Sequence, residues 1–183
     1  MKRYIALLRG INISGKNKIS MAELKQELEK LGYENVRTYL NSGNAIFDCN
    51  IDDKENITKD ICLMIKNKFN LEIPVYIITT LELKDILMNT PEWWGTENKE
   101  IYDNIIFIIS PSNYDEVYKT VGNPTNGIDK IQEYKNIIFW SYDLNNYRKS
   151  NWWIKTASTD IKDKITIRTA NTMRKVLELC DRD

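Results

Sequence analysis

Ten consecutive residues near the start, Arg9-Gly-Ile-Asn-Ile-Ser-Gly-Lys-Asn-Lys18, place three cations, amides and two glycines between a short apolar run and a helix-start signal. A second cluster of amides and a glycine follows at Asn41-Ser-Gly-Asn44. If the runs before the two clusters are parallel strands of one sheet, both clusters leave the sheet at the same end. Arg9, Lys16 and Lys18 would then gather beside Asn12, Asn41 and Asn44, with the hydroxyls of Ser14 and Ser42 close by. Backbone N–H groups at the start of the next helix would face the same space. Such a place favours an anion, a phosphate or a carboxylate. The glycine and lysine spacing is not that of a Walker A loop. A plainer account uses the same residues. Asn-Ser-Gly-Asn is good hairpin chemistry, the glycines serve positive φ, and Arg9 caps the sheet.

A second set lies late in the chain: Arg148 and Lys149, then Lys155, Arg168, Asn171, Arg174 and Lys175. Interleaved with Tyr147, Trp152 and Trp153, these cations could hold phosphates while the rings stack on bases. On a helix, however, Trp152 and Trp153 cannot share a direction, so one enters the core and the other packs at an edge. A solvated basic face is the simpler account of this set. Trp93 and Trp94, after Pro91, are expected to pack as a wedge between two halves of the chain rather than to bind a cofactor.

Several chemistries are excluded by composition. The 183 residues contain no histidine, which removes a histidine base, a histidine metal ligand and a histidine pH switch. Cys49, Cys62 and Cys180 have no C-x-x-C spacing and read as small core residues that stay reduced. No metal site and no cofactor are expected. Ser14 and Ser42 lack a Ser-x-x-Lys partner, and no acidic pair is spaced for acid–base work. Lysine plus arginine and aspartate plus glutamate each total 26, so the net charge is zero. That neutrality is uneven. Residues 1–44 carry eight basic and four acidic side chains, residues 45–143 nine and seventeen, and residues 144–175 eight and two. Two basic segments flank an acidic middle, and a local basic face arises only if they meet in space. The apolar stretch from Tyr4 to Leu8 is too short for a secretory signal, and no run approaches a membrane span, so a cytoplasmic protein with no membrane partner is expected.

The elements that must position these groups follow from periodicity. Residues 3–9 read as a buried strand. Ser20-Met-Ala-Glu23 is a capping box, with Leu24, Leu28 and Leu31 on one helical face and Gly32 as the stop. Strands are expected over 36–40, 45–47 and 74–79, with an amphipathic helix carrying Ile57, Ile61, Met64, Ile65 and Phe69. A short helix over 81–88 and the loop 90–95 form a connector. The order then repeats: a strand over 102–109, a helix capped by Ser112, a hairpin over 128–134 and 136–140, a helix over 146–157, a strand over 164–168, and a last helix capped by Asn171. The chain therefore reads as α+β, two tandem ferredoxin-like βαββαβ plaits with mainly antiparallel sheets. The halves are placed at 1–80 and 101–183, joined by 81–100.

Three stretches also carry a resemblance. Ala6-Leu-Leu-Arg-Gly-Ile-Asn-Ile-Ser-Gly-Lys-Asn-Lys18, Met21-Ala-Glu-Leu24 and Thr38-Tyr-Leu-Asn-Ser-Gly-Asn44 closely resemble the bacterial domain-of-unknown-function family 1697. Ile165-Thr-Ile-Arg-Thr-Ala-Asn-Thr172 resembles that family's second signature, departing from it at Thr169 and Ala170, as Ser14 departs from the first. The resemblance implies a two-plait α+β fold and brings no catalytic residue. Three functions remain open at this point. The first is a protein binding an anionic small molecule or nucleic acid at the 9–18 loop and the 41–44 turn. The second is a metal-free, histidine-free enzyme acting on a phosphorylated or carboxylated metabolite, although no catalytic constellation is visible. The third is a structural or protein-interaction module.

Overall fold

A computed structural model describes residues 1–182. The chain divides into two compact units, one made of residues 1–85 together with the chain from Lys175 onward, the other of Ile86–Arg174.

The first unit runs β1 (Lys2–Leu8), α1 (Met21–Lys30), β2 (Glu34–Tyr39), β3 (Asn44–Cys49), α2 (Lys54–Phe69) and β4 (Val75–Thr79), and then enters α3 (Thr80–Met88). The strands form one antiparallel sheet in the order β2-β3-β1-β4. Alternation along β1 explains the packing, because successive side chains of a strand point to opposite faces. Tyr4, Ala6 and Leu8 join Leu24 and Leu28 of α1 and Ile57, Ile61 and Ile65 of α2 in one core. Each fully buried Leu or Ile side chain contributes about 1.5–3 kcal/mol there. Ile5 and Leu7, on the other face, are buried as well. Ser20 caps α1 by accepting from the Glu23 amide, and Asp53 caps α2. The stripe expected on α1 stops one turn early. Leu31 is the C-cap residue, outside the last helical turn, and is exposed.

The second unit begins with the end of α3 and the strap of residues 89–100. It continues through β5 (Ile101–Ile108), α4 (Tyr114–Val121), β6 (Asp129–Tyr134), β7 (Ile137–Asp143), α5 (Asn151–Ser158), β8 (Ile165–Thr169) and the start of α6 (Ala170–Cys180). Its antiparallel sheet has the order β6-β7-β5-β8. Trp152 is fully buried against this sheet's core and donates its indole N–H to the Gly122 carbonyl at 3.0 Å, while Trp153 stays exposed. The fold is thus α+β, with two four-stranded antiparallel sheets and six α-helices among the described residues.

Three local expectations are corrected. Asn113, not Ser112, caps α4, accepting from the Glu116 amide at 3.0 Å. The helix expected over 146–157 is a single 3₁₀ turn (Tyr147–Lys149) followed by α5. Ser150 breaks it with extended backbone, because its hydroxyl both accepts from the Trp153 amide and donates to buried Asp129. Asn171 lies inside α6, whose start is held by the Thr169 hydroxyl accepting from the Thr172 amide at 3.2 Å.

Asp48 is the buried ionic pivot of the first unit, only 8% exposed. It accepts from Arg3 Nε at 2.8 Å, Arg3 Nη2 at 3.0 Å and Asn35 Nδ2 at 2.8 Å. Arg3 also donates to the Cys180 carbonyl at the end of α6. Hydrogen bonds from the Arg3 guanidinium hold the Asp48 carboxyl below the usual carboxylate range. A carboxyl with a depressed folded pKa stabilises fully above the unfolded-state value, about 4, and that stabilisation is lost as pH falls through the folded value. Asp48→Asn should therefore cost about 2–3 kcal/mol near neutral pH, read as a lower urea midpoint. The difference from the parent protein should shrink as pH drops below about 4. Equal midpoints for the two proteins at neutral pH would remove Asp48 from this role.

Candidate functional site

The end of the first sheet where β1 and β2 terminate carries the 9–18 loop and the 40–43 turn. They are fastened to each other and to the sheet. The Leu8 amide donates to the Gly43 carbonyl at 2.8 Å and the Arg9 amide to the Pro74 carbonyl at 2.9 Å. Asn12 is the principal tie. Its Nδ2 donates to the carbonyls of Ile19 and Asn41, both at 2.9 Å, and its Oδ1 accepts from the Ile19 amide at 2.9 Å. Asn17 Nδ2 donates to the Gly10 carbonyl at 3.0 Å. A side chain at Gly43 would collide with Leu8 and Ile11, so the turn approaches β1 as closely as only glycine permits.

This end also concentrates backbone strain. Asn12, Ser14, Asn17 and Leu40 all have positive φ, between 48° and 58°. Asparagine tolerates this region, but a bulky leucine does so only at a cost. Leu40 at φ 58° is also 51% exposed, so it combines strain with apolar surface in water. Ile13 at the loop tip is exposed too.

The expected residues divide by what they already do. Asn12, Lys18 and Asn41 come together, with Gly15 and Ser20, around an open depression of about 480 Å³. Lys16 and Ser14 are exposed on the same loop. Neither Lys16 nor Lys18 has an ion-pair or side-chain hydrogen-bond partner among the described residues. Lys2, Lys54, Lys66 and Lys164, by contrast, each meet a carboxylate. Asn44 is fully buried and spent on its turn, donating to the Tyr39 carbonyl at 2.8 Å and to Ser42 Oγ at 3.2 Å. Arg9 is half-buried at the loop base and outside the lining of the depression.

The second set is dispersed into separate roles. Arg148 donates to the Tyr147 hydroxyl at 3.1 Å and lies over its ring, which packs edge-on against Trp153. Lys149 is exposed beside it. Lys155 Nζ donates to the Val121 carbonyl at the end of α4, at 3.0 Å. Arg168 is buried and donates to Thr166 Oγ1 at 2.9 Å. Lys175 pairs with Glu178 at 2.8 Å. Asn171 and Arg174 do meet, around a cavity of about 600 Å³ in the second unit. Sequence reasoning missed this cavity and the acid in its wall, Asp103. The available signal was an Asp-Asn pair inside an otherwise apolar strand. Among the described residues, no cluster of cysteines and carboxylates is placed to hold a metal ion. No helix among them is long and apolar enough to cross a membrane.

The N-terminal signature residues thus occupy one structured loop and turn, and the comparison with known proteins follows that signature. A family model described as protein of unknown function (DUF1697) matches residues 1–139. The chain belongs to this family. The solved structure of the conserved bacterial protein SP0830 from Streptococcus pneumoniae is similar throughout, with 30% sequence identity and a TM-score of 0.86. The similarity covers 98% of this chain and 99% of that one. No curated protein matches the chain.

Removing the Asn12 tie tests whether the loop is held as described. Asn12→Ala deletes three hydrogen bonds and should cost about 1–3 kcal/mol. It should also speed hydrogen exchange at the Ile19 amide, which loses its acceptor. An Ile19 amide protected equally in both proteins would show that something else holds the loop.

Proposed function

We propose that the protein is a binding protein built from two ferredoxin-like plaits, and that the loop end of the first receives an anionic partner. The strand orders β2-β3-β1-β4 and β6-β7-β5-β8, each within a βαββαβ run, support the plait reading. The observation that carries the binding reading is the pair of unpaired cations, Lys16 and Lys18, on a loop whose backbone is already fixed by Asn12 and Asn17. A fixed loop has little conformational entropy left to lose on binding.

The depression beside Lys18 is open rather than enclosed, and Ile13 and Leu40 offer apolar surface at the same end. An extended polyanion fits such a surface better than a small metabolite, which needs enclosure. The partner of this reading is a single-stranded nucleic acid, its phosphates on Lys16 and Lys18 and its bases against the exposed aliphatic groups.

Fluorescence anisotropy with a labelled oligouridylate and a labelled oligothymidylate tests this. With two phosphates neutralised, affinity should fall roughly sevenfold between about 50 and 200 mM salt. The double variant Lys16→Ala/Lys18→Ala should lose most of that salt dependence. Its melting temperature should stay close to the parent's, because exposed substitutions usually change stability by no more than about 0.5 kcal/mol. Absence of binding at low salt, or undiminished binding by the double variant, would reject the reading.

A further inference from the structure

The cavity of about 600 Å³ in the second unit lies between the strap of residues 95–99, the start of β5 and the first turn of α6. Four charged residues line it: Glu97, Lys99, Asp103 and Arg174. None of the four forms an ion pair among the described residues. Two acids and two cations thus share one concave space without neutralising one another, in a protein where many exposed lysines and carboxylates do pair.

Asp103 is the decisive member. It is 7% exposed, on a strand whose following residues are all buried. Its Oδ1 accepts from the Ser141 hydroxyl, directly across the β5–β7 pair. Its Oδ2 accepts no hydrogen bond among the described residues. Among the described residues the one side-chain polar atom both shut off from water and unbonded is the Tyr33 hydroxyl, so Asp103 Oδ2 stays open to solvent although the rest of the residue is buried. The unused oxygen belongs to a residue lining the cavity, where a ligand donor would complete it.

The lining residues contributed by α6 supply the complementary chemistry. The Arg174 guanidinium donates one N–H to the Gly95 carbonyl at 2.7 Å and stacks over Trp94, which holds it in place. Gly95 permits this, because a Cβ there would run into the guanidinium. The remaining N–H groups of Arg174 donate no hydrogen bond among the described residues. The amide of Asn171 and the N-terminus of the eleven-residue α6 add further donors and a favourable dipole for negative charge.

We propose that this cavity binds a free α-amino acid. The protonated amine is held by Asp103 Oδ2. The carboxylate is held by Arg174, with Lys99 and the first turn of α6 in support. The matched charges of the lining leave the complex neutral, as a zwitterion requires. The site is distinct from the loop end of the first unit, and its occupancy does not depend on that reading.

The experiment is a thermal-shift screen of the twenty proteinogenic amino acids, each followed by calorimetric titration where melting rises. The N-acetyl derivative and the methyl ester of each hit serve as controls. At least one amino acid should bind. Acetylation removes the cation and esterification removes the anion, and each should weaken binding at least tenfold. Asp103→Asn keeps the shape and the acceptor for Ser141 while removing the charge, and Arg174→Gln removes the charge of an exposed side chain while keeping an N–H donor. Each should weaken binding at least tenfold, whereas Lys16→Ala/Lys18→Ala should leave it unchanged. If Asp103→Asn does not fold, Arg174→Gln and the two derivatives decide the matter. No melting shift from any amino acid at millimolar concentration overturns the proposal. So does a hit that the N-acetyl form or the methyl ester matches, or one that Arg174→Gln binds equally well.

Discussion

Hydrogen bonding of β1 on both of its edges constrains the first unit more than any other feature. β1 lies between β3 and β4, and its side chains from Tyr4 to Leu8 are buried on both faces. Every backbone group of such a strand must be paired within the sheet. The chain can therefore become irregular only past Leu8, and it does so abruptly, through Gly10 into the strained loop. The same logic applies to β5 between β7 and β8. There the exception is informative. Asp103 and Asn104 are polar residues in a central strand, and each needed a specific partner: Ser141 for the first, the Tyr102 carbonyl for the second.

Much of this architecture was legible because it is periodic or locally capped. The apolar run of β1, the Ser20–Glu23 capping box and the stripe from Ile57 to Ile65 are each set by neighbours within one or two turns. The failures share a different cause. Ser112 and Asn113 are adjacent residues that can both cap, and only the path of the chain selects Asn113. The break at Ser150 depends on Asp129, twenty-one residues away in sequence. Leu31 satisfies the spacing of its helix yet falls past the last helical turn.

The candidate site was legible in its location and less so in its chemistry. The 9–18 loop and the 41–44 turn do meet, through Asn12 and the Asn41 carbonyl. Amides read as ligand groups are largely consumed by the protein itself: Asn12 satisfies the loop backbone, and Asn44 satisfies its own turn. An irregular segment has backbone donors and acceptors that no helix or ladder can serve, so its asparagines are drafted for that purpose first. Lysines cannot accept hydrogen bonds and reach well beyond the loop, which leaves Lys16 and Lys18 as the groups still available. Asp103 had no motif to announce it, since one buried acid in a strand acquires meaning only from the cavity it faces.

The grouping of residues from Lys175 onward with residues 1–85 bears on how the chain comes into being. Synthesis proceeds from the N-terminus, and domains generally fold as they emerge. The second unit, Ile86–Arg174, is contiguous and has all of its parts once Arg174 has been added. The first unit was begun earlier but lacks the carbonyls at Leu179 and Cys180 that Arg37 and Arg3 engage. Its guanidinium groups must wait through the making of an entire second unit for the last turn of α6 to arrive. The half of the protein that is translated first is thus the half that is finished last.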